Sequence, residues 1–451
     1  MHARSALFAL LVALIAVEGA SQPASLAPHA GLTMLRAIDA ALSADPALAA
    51  ARADFSAAHA VVGQAQSALR PHLDLSSSLL EYEKPMVVTP IHGFTPGELP
   101  EFDRTLLQSS LAATFLLWDG GASRARVRQA QAGESVASAS VDAAVRTVAA
   151  QTAELYLTVL SQSAALEAHD LRITALNSEL ARVQQLRAVG RAADVEVLRV
   201  QAALAAAEAD RTATAASLDV AERELARITG LAVEQTRAAE LAKTPLDTSA
   251  IGEREALDRM AVESNPNVRQ ARERIAAQNA AMAFARAGNL PRLQAAGSLL
   301  QFGSGAGTFA TEWNGGLMLR WSPLDGGATR ARIAEAKAQA LKAEEELKLS
   351  ERNVRDAIDR AIADFEQARA SVSSLETAVA RFQEVVRIEK LRLQEGAGTQ
   401  TDYLRAEADL MQARAGLAAA RYRSMTAMVE IARLTGQLDA SWISQKLRSE
   451  G

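Results

Sequence analysis

The 451-residue chain contains no cysteine. Disulfides, a thiol nucleophile, cysteine-bound metal and a lipid-modified N-terminal cysteine are thereby excluded. Aromatic residues are scarce, at 4%, so no wide core can be filled with rings. Alanine is abundant instead, which points to helices packed at close range. The net charge is only −5, and nothing in it suggests a nucleic-acid partner. Beyond the first twenty residues no run of 18 apolar residues occurs, so any membrane crossing must use strands.

Chemistry-bearing motifs are also missing. The six histidines (His2, His29, His59, His72, His92 and His169) show no metal-ligand spacing. There is no G-x-S-x-G and no Walker sequence. GSGAG at 303–307 resembles a phosphate loop, but no lysine follows and no helix begins there; it reads as a hairpin turn. The chain is therefore predicted not to be an enzyme and to carry no cofactor and no metal.

What is present begins with a secretory signal at residues 1–22. Arg4 supplies the positive start and Ser5–Val17 the short apolar run. An uncleaved anchor is the alternative.

The rest is written twice. LLWDGGASRARVRQAQA (116–132) returns as SPLDGGATRARIAEAKA (322–338). The shift is 325 − 119 = 206, and it carries VLRVQAAL (197–204) onto YLRAEADL (403–410) and ARITG (226–230) onto ARLTG (432–436). A constant shift fixes segment length, as two long hairpins ending level would require.

Each repeat opens with helix, 31–70 and 252–290, broken at Asp45-Pro46 and Asn265-Pro266. Pro71 and Pro291 end these helices. Strand pairs follow at 71–118, around an outer loop 85–103, and at 291–323. The four strands are expected at 72–82, 105–118, 292–302 and 313–321. Residues 105–118 carry no charge, and Leu107, Leu111 and Phe115 alternate with small or polar residues. Such alternation suits a membrane strand of about 9–11 residues; a soluble hairpin is the alternative. Nine of the 18 aromatics lie in these windows: Tyr82, Phe94, Phe102, Phe115, Trp118, Phe302, Phe309, Trp313 and Trp321. Rings at strand ends favour a bilayer interface.

Long helical hairpins are predicted at 119–230 and 324–437, with a linker at 231–251 and a tail at 438–451. In the first, Val141, Val145, Val148, Thr152, Leu155, Val159, Gln162, Leu166, His169, Ile173, Leu176, Leu180 and Val183 are spaced alternately four and three. Leu347, Val354, Ile358, Phe365, Val372, Leu375, Val379, Phe382 and Val386 continue the pattern in the second. A 3.5 period is a coiled-coil seam, and His169 is read as packed within it. The hairpins turn at Gly190 and Gly396. Four strands cannot close a membrane barrel, which needs about eight, so strands in lipid demand an oligomer.

The order of these parts, duplicated, resembles the TolC-type outer-membrane efflux protein family over nearly the whole chain. Its carriers are Pro71-His72-Leu73 and Pro291-Arg292-Leu293, the D-G-G-A turns at 119–122 and 325–328, and Leu198-Arg199 and Leu404-Arg405. The resemblance implies an α+β membrane protein, internally duplicated. Four strands per chain would contribute to a trimeric twelve-strand outer-membrane barrel, continuous with a periplasmic α-helical coiled-coil barrel. Such a homotrimer, set in outer-membrane lipid and extending into the periplasm, would passively export small molecules. A periplasmic adaptor and an inner-membrane pump of RND, ABC or MFS type would deliver them. An exit duct of a type I protein-secretion system is the alternative, and a pore-less periplasmic coiled-coil scaffold a third.

The resemblance also implies an acidic constriction six residues past each tip glycine, at Glu196 and Asp402. Six carboxylates in a narrow mouth would raise one another's pKa, favour cations and invite divalent block. Two exposed acids favoured by helix dipoles is the plainer alternative. Arg199 and Arg405 stand at the two equivalent sites, in the second half replacing a second family aspartate, and the i,i+3 pairs Glu196–Arg199 and Asp402–Arg405 are expected to neutralise part of the ring. Leu393 and Gly398 replace the family's tyrosine and arginine ties. Val189-Gly190-Arg191 and Glu395-Gly396-Ala397 match the family's adaptor contact; helix-ending glycines without a partner are the alternative.

Overall fold

Proline and the residue before it set where this chain turns. The computed structural model describes residues 31–88, 97, 100–242, 246–248 and 251–446. Helix α1 (Met34–Ala44) stops at Asp45, whose carboxylate accepts from Leu48 N at 2.9 Å and so caps α2 (Pro46–Ser67), with Pro46 in the first turn. Asn265 repeats the device between α5 (Arg254–Ser264) and α6 (Pro266–Ala287), accepting from Asn267 N at 2.9 Å.

Helices α2 and α6 each lead into a strand pair: β1 (His72–Val87) with β2 (Phe102–Trp118), and β3 (Arg292–Ser304) with β4 (Phe309–Arg320). The four form one antiparallel sheet in the order β1-β2-β3-β4. β1 runs five residues past the expected 82, because a register shift between Glu81 and Met86 accommodates Pro85. β2 starts at Phe102 rather than 105, its charged Asp103 and Arg104 having read as loop. β4 starts at Phe309 rather than 313, since Ser304–Thr308 closes a tight turn with Gly307 at φ +83°. Most of the outer loop, with Phe94 and His92, lies outside the described residues, as do the signal segment and residues 447–451.

Register sorts the sheet into two faces. Leu75, Leu111, Leu299 and Trp313 are directly opposed across all four strands. Leu73, Leu79, Leu107, Phe115, Leu293, Leu317, Leu319 and Phe309 share that face. The opposite face carries His72, Asp74, Ser76, Ser110, Thr114, Gln294, Ser298, Asn314 and Arg320. The first face thus holds most of the large apolar side chains, with Ser77, Glu81, Thr105, Ser109, Gln301 and Thr311 among them, and the second most of the polar ones, with Leu80, Leu106, Leu300, Phe302 and Met318 among them, as period-two alternation favours. No helix among the described residues is long and apolar enough to cross a membrane.

Asp-Gly-Gly joins strand to helix in both repeats. Asp119 accepts from Gly121 N (3.0 Å) and Ser123 N (2.7 Å), and Asp325 from Gly327 N (3.1 Å) and Thr329 N (2.8 Å). All four glycines have φ between +66° and +87°, which explains their residue type. From there α3 (Ala122–Ala188) and α7 (Ala328–Gln394) run 67 residues each, about 100 Å at 1.5 Å per residue. They return as α4 (Asp194–Thr229) and α8 (Gln400–Leu434).

None of the thirteen seam residues from Val141 to Val183 is exposed, and none of the nine from Leu347 to Val386. Heptad spacing therefore reads correctly as burial. Fully buried alanines such as Ala139, Ala153 and Ala207 let helix axes approach to about 8 Å. His169 is buried on its seam, with Nδ1 unpartnered.

The main core gathers where α1, α3, α4, α8 and the linker meet. Its centre is Tyr156, 1% exposed. The phenol lies 2.8 Å from Leu32 O and 2.7 Å from Ala242 O, clamping the chain ahead of α1 and the inter-repeat linker onto α3. Burial pushes its pKa up. The tail, without an expected structure, forms α9 (Ala440–Lys446), and Ile443 packs into the same core. A second core surrounds Phe365, Ile358 and Ile362, and a third, near the tips, joins Val183, Val197 and Val200.

Candidate functional site

The hairpin tips are built by glycine. At the first, Gly190 has φ +74°, Gly190 N donates to Arg187 O (2.9 Å) and Arg191 N to Leu186 O (2.8 Å). At the second, Gly396 has φ +71° and Ala397 N and Gly398 N both donate to Arg392 O. This is the left-handed helix ending in which the free carbonyls are satisfied. An ion pair of 2.5 Å between Arg187 and Asp194 straps the first tip. Thr399 caps the second, accepting from Asp402 N and donating to Asp402 Oδ2 at 2.7 Å. Val189, Gly190, Arg191, Glu395, Gly396 and Ala397 are all exposed.

The two constriction candidates differ. Asp402 is exposed, whereas Glu196 is half-buried in the first turn of α4. Arg199 and Arg405 are exposed. The expected i,i+3 ion pairs do not form among the described residues. Arg199 instead donates to Thr401 Oγ1 at 3.5 Å, and Asp402 is held by the Thr399 hydroxyl. At the second tip the cap wins: Thr399, three residues before Asp402, reaches both its amide and its carboxylate.

Sequence reasoning missed the polar network behind the tips. Glu179, 4% exposed, receives a two-pronged hydrogen bond from Arg182 at 2.8 and 2.5 Å. Arg182 also reaches Gln400 Oε1 at 3.4 Å, across from α3 to α8. The Glu179 hydrogen bond favours the charged guanidinium most, and Glu196 adds to it. Tyr403 is buried beside them and donates to Glu407 at 3.0 Å; burial first, then the Glu407 charge, push its phenol up. Gln400 Nε2 is buried with no partner. The signal available was an acid and an arginine flanking the seam residue Leu180.

The helices form a row with two borders. Near the sheet, α2 packs on α3, α3 on α6 and α6 on α7; toward the tips, α4 packs on α3, α3 on α8 and α8 on α7. α7 therefore marks one border, and α2 and α4 the other. The sheet ends on the same two sides, β1 following α2 and β4 preceding α7.

A four-stranded sheet with one largely apolar face, leading into paired helical hairpins with glycine tips, is the architecture of the outer-membrane efflux channel class. The chain belongs to the outer membrane efflux protein family, whose profile matches residues 37–231 and 257–437. It is similar to Protein CyaE of Bordetella pertussis, 29% identical over 395 residues, covering 85% of this chain and 79% of that protein. A shorter match, 29% over 178 residues, covers 40% of this chain and 39% of the outer membrane efflux protein BepC of Brucella suis. Among solved structures, the outer membrane protein VceC of Vibrio cholerae superposes with a TM-score of 0.76 at 18% identity, covering 89% of this chain and 96% of that one. The outer-membrane channel OprN gives 0.75 at 21% identity, with 90% of each chain covered. At such identities the likeness is one of fold.

Proposed function

We propose that three copies of this chain close into an outer-membrane duct that passively exports small molecules. A periplasmic adaptor and an inner-membrane pump of RND, ABC or MFS type would deliver them. The observation that carries this reading is the pair of open borders. β1 and β4 leave unpaired backbone groups at both edges of a sheet whose outer face is apolar, and in lipid each such group costs several kcal/mol. Joining β4 and α7 of one copy to β1, α2 and α4 of the next satisfies both edges and repeats head to tail until the ring closes. Three copies would give twelve strands, within the range of closed barrels. The polar face then lines the lumen, and the helices continue it as a tube into the periplasm.

In this assembly the tips come together at the inner mouth. Asp402, exposed and unpaired with arginine, supplies the main acidic ring. Glu196 contributes less, because it is half-buried and faces Arg182. Arg199 and Arg405 stand one turn further in and moderate the field. The exposed tip segments 189–191 and 395–397 are the adaptor contact, where glycine permits close backbone approach.

The test is single-channel recording of detergent-extracted protein in a planar bilayer, beside Glu196→Ala/Asp402→Ala. A trimer with discrete conductance supports the duct, and loss of cation preference or divalent block in the double variant supports the ring. A soluble monomer after cell breakage without detergent would sink the whole reading.

A further inference from the structure

Arg292 and Arg320 are direct cross-strand partners at the helical end of β3 and β4. Both are exposed, and the ion pairs among the described residues include neither. Residues directly opposed in an antiparallel pair lie about 5 Å apart, and like charges there repel. They share the face of Gln294, Ser298 and Asn314, opposite Leu293, Leu299, Leu317 and Leu319.

The duplication supplies an internal control. The equivalent pair in the first repeat is His72 with Thr114, reached by the shifts 292 − 72 = 220 and 320 − 114 = 206, and these two are likewise Cα partners. The same place in the same hairpin is thus filled without two arginines, so the strand pairing does not require them. Nearby carboxylates offer little compensation. Asp119 and Asp325 are occupied by the backbone amides of their turns. On this face the other acids are Asp74, on the far strand β1, and Glu312, eight residues along β4. An excess of positive charge therefore sits on the polar face where the sheet meets the helices.

We propose that Arg292 and Arg320 form an anion-binding collar in the lumen, at the junction of barrel and tube. The inference rests on the channel reading, in which the polar face points inward and threefold closure brings six guanidiniums to one level. The ligand chemistry is a carboxylate or phosphate group, which the planar guanidinium fork binds through two parallel hydrogen bonds. The collar holds anionic solutes loosely on the way out, as one station of a multi-site pathway.

Reversal potential under a salt gradient, with inorganic pyrophosphate added on the helical side, tests this on the full chain. Wild type, Arg292→Gln/Arg320→Gln and Arg292→Lys/Arg320→Lys are each first shown to be trimers by native mass. Wild type is expected to lose conductance to pyrophosphate. The Gln variant is expected to need roughly tenfold more, a difference of about 1.4 kcal/mol, and to shift toward cation preference. The Lys variant keeps most of both properties. Discrete conductance with block and selectivity unchanged in the Gln variant overturns the collar and leaves the duct. Loss of block in the Lys variant equal to that in the Gln variant overturns a charge-based site. Absence of discrete conductance from trimeric wild type overturns the duct and the collar together.

Discussion

The two Asp-Gly-Gly turns invite the same substitution at equivalent places, with different outcomes. Gly120 and Gly326 have φ of +67° and +66°, so alanine at either meets the left-handed penalty of about 1–2 kcal/mol. Around Gly326 an added Cβ meets nothing within 4 Å, whereas at Gly120 it would stand 2.7 Å from both Cβ and Cδ1 of Leu290. A clash with Cβ cannot be relieved by rotating the leucine, so the α6–β3 connection must shift. Overpacking of that kind costs about 1–3 kcal/mol, giving about 2–5 kcal/mol for Gly120→Ala against about 1–2 for Gly326→Ala. The assay is the half-life of the purified, folded protein in detergent at a fixed high temperature. Fluorescence of Trp118 and Trp321, close to the two turns, follows the loss. Each 1.4 kcal/mol off the unfolding barrier shortens the half-life about tenfold. The expected order is wild type, Gly326→Ala, Gly120→Ala. Equal half-lives for the two variants would refute the role given to Leu290.

Three further outcomes are expected. Tyr156→Phe removes the hydroxyl between Leu32 O and Ala242 O; Leu32 O keeps its bond from Ala242 N, so the loss falls on the half-buried Ala242 carbonyl at a cost of about 1 kcal/mol, and faster tryptic cleavage at Arg237 is the readout, unchanged cleavage being the contrary result. Arg182→Met strands the buried Glu179 carboxylate and is expected to destabilise by about 3–5 kcal/mol, while Glu179→Leu/Arg182→Met recovers most of it; a double variant no better than the single refutes the pairing. Thr329 hydrogen bonds hold the Asp325 pKa below its usual value, so Asp325 contributes stability above the ordinary carboxylate pKa and loses it as pH falls through the lowered one. The advantage of wild type over Asp325→Asn is therefore expected to be full at neutral pH and to shrink below about pH 4, and a gap that widens in acid would contradict the assignment.

Much of the architecture was legible because its signals are periodic. A 3.5-residue seam and a two-residue alternation each repeat often enough that single exceptions such as Thr152 or Gln162 do not obscure them. Asp-Pro, Asn-Pro and Asp-Gly-Gly mark boundaries by local sterics alone. Pro85, the charges at 103–104 and the turn at 304–308 obscured three strand ends, because a bulge, a charged strand residue and a tight turn are set by pairing that propensity does not encode. At the tips, residue types were readable but partners were not. Thr399 outcompetes Arg405 for Asp402, and Arg182 turns inward to Glu179 and Gln400, because a choice among nearby partners depends on where neighbouring helices lie.

α3 and α7 are equal in length, and the 206-residue shift holds from their first turns to the ends of α4 and α8. Each arm is a measuring stick read against three others. An insertion in α3 that α4 does not match throws the returning strand of the coil out of phase. One confined to a single repeat leaves one tip protruding beyond the other. Whole heptads, added at once to all four arms, would lengthen the hairpins while keeping the seams in phase and the two tips level. An engineer wanting longer arms must therefore make four coordinated edits.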